Sequence, residues 1–275
     1  VSNPNLFVPD RPTIIAALHL PPLPGSRHPD ARPVSDAVEH ALRNTERAVK
    51  AGVRALYIQD TADVPVAAEI QPHTLAVLSA VGYALRREFP DLALGLCMMA
   101  HGAREPLAAA QACGAQFVRL KVYVGAMVKA EGVLHGLAYE AIQYRAQIGA
   151  DHVQILADVY DRTGQPLAPM PLIEEARQAA VFGRADALVL TGASFEESTG
   201  MLGKVRQAGL GVPLLLGGGA TAANVRAVLA VNGGSADGVI VGSAFKAQGG
   251  WTRAGLLEEW DADRILDFMR AVREG

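Results

Sequence analysis

The chain has 275 residues, half of them hydrophobic, which is enough to bury one large core. Charged residues make up 19% and the formal net charge is −3, so no global field draws it to nucleic acid or to an anionic membrane. Any basic site has to be local. Cys97 and Cys113 show neither the C-x-x-C nor a metal-ligand spacing, so the expectation is a reduced, cytoplasmic protein with no metal and no cofactor. Residues 1–12 form a proline-broken lead unlike a signal peptide, and no apolar run nears the roughly 18 residues that stable membrane insertion needs.

Thr13–Leu20 reads as a strand with Ile15, Ala17 and His19 on one face. Pro21-Pro22-Leu23-Pro24-Gly25 follows as a stiff, exposed loop. Ser35 or Asp36 caps a helix reaching about Ala51, and Ala55–Asp60 is the second strand. A helix from about His73 to Phe89 precedes a third strand, Ala93–Met99. Glu105–Cys113 is helical and ends at Gly114. In the fourth strand, Phe117–Val122, the residues Val118, Leu120 and Val122 share a face for helices to cover. Arg119 and Lys121 must then point inward.

A loop through Gly125-Ala126-Met127 and Gly132 leads to a helix over Leu137–Ile148. The fifth strand, Gln154–Tyr160, turns Ile155, Ala157 and Val159 to the helices and Asp158 inward. Helix Leu172–Phe182, strand Ala187–Gly192 and helix Glu196–Ala208 make the sixth unit, and a last helix runs from about Asp263 to Val272. Trp251 and Trp260 flank a polar stretch that covers the barrel bottom or a contact in a homo-oligomer. Strands alternate with helices eight times, which fits one (β/α)8 TIM-barrel domain over residues 1–275.

Between Val212 and Lys246 lie two apolar runs that end abruptly in small residues, Gly217-Gly218-Gly219 and Gly242-Ser243. Glycine turns at adjacent strand ends, each followed by a helix, leave backbone N–H groups to cradle a phosphate. Thr221 is placed as the N-cap of the next helix, and Thr191 with the Gly192-Ala193-Ser194 turn extends the anion site. Active sites of such barrels lie at the carboxyl ends of the strands. His19, Gln59, Asp60, His101, Arg119, Lys121, Asp158, Tyr160 and Thr191 stand there, and His101 reads as loop surface.

An inward Arg, Lys and Asp on adjacent strands form either a structural ion network or an acid/base site. In the second case Asp158 takes a proton, Lys121 and Arg119 stabilise the developing charge, and His19 with Asp60 position hydroxyls. A desolvated Lys121 has a third option, a Schiff base with a carbonyl substrate.

His19-Leu20-Pro21-Pro22-Leu23-Pro24-Gly25-Ser26 resembles the opening signature of the BtpA/SgcQ family. So do Asp63-Val64-Pro65, Gly125-Ala126-Met127, Tyr144-Arg145, Ile155-Leu156-Ala157-Asp158-Val159 and Val241-Gly242-Ser243. The resemblance implies a barrel with a ribulose-phosphate-type anion site, and it brings in a non-catalytic alternative, an assembly factor for a photosynthetic membrane complex. Three strand ends depart from the family pattern. Met99-Ala100-His101 replaces an Arg-Asn-Asp group, Lys121 an asparagine, and Asp161-Arg162-Thr163 a Val-Lys-His segment. The expectation is a lyase or isomerase acting on a small phosphorylated sugar-like or nucleoside-like substrate, with Lys121-based aldolase chemistry and the assembly role as alternatives.

Overall fold

The computed structural model describes residues 6–8, 11–249, 255 and 257–273. Eight parallel strands close into a barrel in the order β1 (Thr13–His19), β2 (Ala55–Gln59), β3 (Ala93–Cys97), β4 (Phe117–Leu120), β7 (Gln154–Val159), β9 (Ala187–Leu190), β10 (Leu214–Leu216) and β11 (Gly238–Val241), which returns to β1. The helices outside are α1 (Val34–Lys50), α2 (Pro72–Glu88), α3 (Arg104–Cys113), α4 (Ala138–Gln147), α5 (Leu172–Arg177, prolonged as a π-turn to Phe182), α6 (Phe195–Gln207) and a C-terminal helix, Ala262–Arg273. Strands covered on both faces need no polar alternation, which is why they read as apolar runs.

The β3–β4 pairing sets a residue without a side chain against a large one. Gly95 of β3 lies opposite Phe117 of β4, and a Cβ at Gly95 would collide with the Phe117 ring. The barrel interior is filled through that gap. Ile15, Tyr57, Phe117, Leu156, Val189 and Leu215 belong to one interior cluster, separate from the layer between strands and helices.

Several local expectations are overturned. α1 begins at Val34 with Pro33 as its N-cap, and neither Ser35 nor Asp36 caps it: proline's fixed φ starts the helix without a side-chain bond. Pro21, Pro22 and Leu23 are buried rather than exposed, with Leu23 in the core. The expected loop after β4 is a hairpin, β5 (Ala126–Lys129) and β6 (Gly132–His135), joined antiparallel by β8 (Gln165–Pro166). Val122 accordingly packs beneath that hairpin with Met127 and Leu134, not against helices.

After β10 the expected helix is a single turn, α7 (Val225–Val228), and Thr221 is not its cap. The Thr221 amide instead donates to Asn224 Oδ1 at 2.7 Å. β11 is followed by a 3-10 turn, Ser243–Phe245. Trp260 is buried edge-on against Phe245, and Trp251 lies outside the described residues.

Candidate active site

Inward-facing residues repeat every second position, so each strand carries an apolar filler below and a site residue above. Two residues beyond Ala17 stands His19; beyond Tyr57, Gln59; beyond Leu156, Asp158; beyond Val189, Thr191; beyond Leu215, Gly217; beyond Ile240, Gly242. β4 is the exception, because a charge, Arg119, already occupies the lower position and Lys121 the upper one. All of these site residues line one cavity of about 230 Å³ at the carboxyl ends of the strands.

The charged heart of the cavity is a buried pair. Arg119 Nε donates to Asp158 Oδ1 at 2.8 Å and Nη2 to Oδ2 at 2.9 Å, while Nη1 donates to Tyr57 Oη at 2.9 Å. Burial raises the Asp158 pKa, and the Arg119 guanidinium pulls against it without cancelling it. Asp158 is therefore a stronger base than an ordinary aspartate, held in one orientation. Burial also pushes the Tyr57 hydroxyl up to about 12, which keeps it neutral.

Lys121 is not part of that pair. Its Nζ donates to Met99 O at 2.6 Å, and among the described residues it has no ion-pair partner. Burial lowers its pKa. His19 is lowered to about 3, first by burial and then by the positive field of Lys246 and Arg119, so it stands in the cavity as a neutral imidazole. The carbonyl of His19 accepts from His40 Nε2 at 3.1 Å, which fixes the strand end.

The opposite wall is backbone. The Gly217 amide is spent on Leu190 O at 2.9 Å, so it is not a ligand donor. Asn224 Nδ2 holds Gly219 O at 3.0 Å, and Gly219 takes φ +81°, a conformation natural to glycine. Between these anchors the amides of Gly218, Gly219 and Ala220 have no acceptor among the described residues. The same holds for the amides of Ser243 and Ala244 at the start of the 3-10 turn.

Thr191 Oγ1 is buried without a partner beside them, and a Cβ on Gly217 would collide with it. A bound oxygen would complete both the hydroxyl and the bare amides.

Two expected contributors lie elsewhere. The Gly192 amide donates to Ser198 Oγ at 2.9 Å and the Ala193 amide to Glu197 Oε2 at 2.7 Å, so α6 caps its own entry turn and leaves no anion site there. Asp60 accepts from Met99 N at 2.8 Å and faces a smaller neighbouring cavity with Asp63 and His73. Burial raises Asp60 to about 6. His101 is not free loop surface, because its Nε2 donates to His135 O at 2.7 Å and pins the hairpin.

Sequence reasoning left out Tyr57, and it marked Asp161, Arg162 and Thr163 only as a departure from the family pattern without giving them a role; all four line the cavity. Tyr57 shares the inward parity of Gln59, and the other three immediately follow the fifth barrel strand, so position alone marks them. Asp161 is tied by Lys129 Nζ of the hairpin at 2.7 Å, which holds its pKa at about 2 against the effect of burial. Among the described residues no group of three or more His, Cys, Asp or Glu side chains is placed to hold a metal ion, and no helix is long and apolar enough to cross a membrane.

Fold and topology make the molecule a (β/α)8 barrel. The chain belongs to the BtpA family, which it matches over residues 10–274. A protein of Archaeoglobus fulgidus is 30% identical over 267 residues, covering 95% of this chain and 98% of its own length. The photosystem I biogenesis protein BtpA of Synechocystis is 27% identical over 265 residues, covering 95% of this chain and 88% of its own length.

Among solved structures, KGPDC from Streptococcus mutans gives a TM-score of 0.56 at 14% identity, covering 96% of this chain and 98% of that one. N-(5'-phosphoribosyl)anthranilate isomerase from Pyrococcus furiosus gives 0.53 at 15% identity, covering 95% and 99%. At such identities the likeness is one of fold.

Proposed function

We propose that this chain is an enzyme that binds a small phosphorylated sugar-like or nucleoside-like molecule and performs lyase or isomerase chemistry on it by proton transfer. One observation carries the reading: Asp158, oriented by Arg119, shares a cavity with the acceptor-less amides of Gly218, Gly219 and Ser243 and with the unpartnered Thr191 hydroxyl. The amides and the hydroxyl hold the phosphate. Asp158, made more basic by burial, takes a proton from the carbon beside a carbonyl. Negative charge then builds on the carbonyl oxygen, where Lys121 and the neutral His19 imidazole supply hydrogen bonds. Solved barrels of the same fold whose names include a phosphoribosylanthranilate isomerase and a sugar-phosphate decarboxylase support the reading by analogy.

Calorimetry with inorganic phosphate and ribose 5-phosphate tests it. Wild-type chain is expected to bind both, and Gly218→Asp to bind neither, because a Cβ at Gly218 meets nothing within 4 Å and the fold is left intact. A wild-type chain that binds neither compound removes the reading.

A second reading, an assembly factor, draws on the name of the Synechocystis relative and on the exposed Val128, Val133 and Leu167 beside the cavity. It expects a cavity without phosphate affinity, so the same titration separates the two.

A further inference from the structure

The geometry points to a second anion subsite in the cavity, built by Arg162 and Lys121, so that the substrate is a phosphorylated sugar acid with a carboxylate apart from its phosphate. The inference rests on the phosphate reading above and narrows it to one substrate class.

Charge accounting within the cavity carries it. Among the described residues, five formally charged ones line the space: Arg119, Lys121, Asp158, Asp161 and Arg162. Asp158 is consumed by Arg119 through two hydrogen bonds. Asp161 is consumed by Lys129, which reaches it from the hairpin outside the lining, and by the Thr163 hydroxyl at 2.7 Å. That leaves Lys121 and Arg162. Among the described residues, Lys121 hydrogen-bonds only to the carbonyl and the sulfur of Met99, and Arg162 has neither a hydrogen bond nor an ion pair.

Both therefore face the ligand space as positive groups without carboxylate partners, although two carboxylates stand in the same wall. Burial disfavours the charge of Lys121 and a ligand carboxylate relieves that cost, while Arg162, exposed in the same lining, offers a second positive group to the same ligand. Arginine offers that group a planar fork of donors, and lysine adds a point charge beside it.

A single phosphate does not account for the two cations. The amides of Gly218, Gly219 and Ser243 and the Thr191 hydroxyl come from β9, β10 and β11 and already supply a neutral donor set for phosphate. Lys121 and Arg162 follow β4 and β7. In the ground state, before charge develops on a carbonyl oxygen, a sugar phosphate without a carboxylate would fill the first set and leave the second without a counter-charge.

A matched pair of open-chain compounds tests the inference on the full chain: gluconate 6-phosphate, which carries a terminal carboxylate, and glucitol 6-phosphate, which has a hydroxymethyl group there. Calorimetry is expected to show wild-type affinity for the acid at least tenfold above that for the alcohol. Arg162 is exposed, so Arg162→Gln is expected to fold and to reduce that preference to about twofold or less.

Equal affinity of the two compounds for wild type, or a preference unchanged by Arg162→Gln, overturns the acidic subsite and leaves the phosphate reading standing. Failure of both compounds and of inorganic phosphate to bind overturns the two together.

Discussion

Arg119 and Asp158 face each other from adjacent barrel strands and share two parallel hydrogen bonds of 2.8 and 2.9 Å, with both side chains nearly sealed from solvent. A pair of this kind has a structural and a chemical role that separate on substitution. Asp158→Asn leaves a buried guanidinium uncompensated and is expected to destabilise the chain by about 3–5 kcal/mol in urea unfolding. The double substitution Arg119→Met with Asp158→Leu is expected to recover most of that loss, since well-packed apolar residues often replace a buried pair without penalty. Deuterium uptake from solvent into a bound ketose phosphate, followed by NMR, is expected to fall at least about 100-fold in both variants. Return of exchange together with stability would show that Asp158 is purely structural.

The neighbouring glycines of the cradle are expected to behave oppositely. A Cβ at Gly217 would overlap Thr191 Oγ1, whereas one at Gly218 meets nothing within 4 Å. Gly217→Ala should cost about 1–3 kcal/mol of stability through overpacking, read by thermal denaturation. Gly218→Ala should leave the melting temperature within a degree or two.

Glu175 of α5 accepts the amide of Tyr160 at 3.1 Å, and Tyr160 sits at φ +60°, a left-handed conformation unusual for a tyrosine. Burial pushes Glu175 from 4.5 up to about 7, so between those values the folded chain holds a proton that the unfolded chain has released. Its contribution to stability is complete below pH 4.5 and is lost as pH rises through 7, by about 1–3 kcal/mol. Glu175→Gln is expected to flatten melting temperature against pH across this window. An unchanged slope would assign it to another group.

Asp161 has the opposite sign. With its pKa lowered from 3.8 to about 2, mainly by Lys129 working against burial, it adds stability that is present above pH 3.8 and is lost as pH falls toward 2. Lys129→Met removes about 1–2 kcal/mol of that, and loosens residues 126–135 where they lie over Val122. Hydrogen exchange of the hairpin at neutral pH is expected to accelerate about tenfold while the barrel strands stay protected. Uniform acceleration across the chain would show that the contact supports the whole fold.

Much of the site was legible because strand periodicity is a local property. Apolar runs of the right length marked the barrel strands, and parity alone turned His19, Arg119, Lys121 and Asp158 into one interior. The hairpin at residues 126–135 was missed although Met127-Val128-Lys129 and Val133-Leu134-His135 flank a two-residue turn before Gly132, the ordinary sign of paired short strands. Gly192 was misplaced for a different reason. Its sequence matches the other glycine turns, but Ser198 returns from α6 to take its amide, and no periodicity reports where a hydroxyl six residues on will point.

The sequence alone determined the alternation of strands and helices, the two glycine-ended turns and the inward direction of the charges, because backbone geometry and hydrophobic burial act over a few residues. Tertiary structure alone decided which charges pair: Asp158 with Arg119, Asp161 with Lys129, and neither with Lys121 or Arg162. Such choices turn on distances of a few ångströms between strand ends remote in the chain. Only closure of the barrel sets those distances.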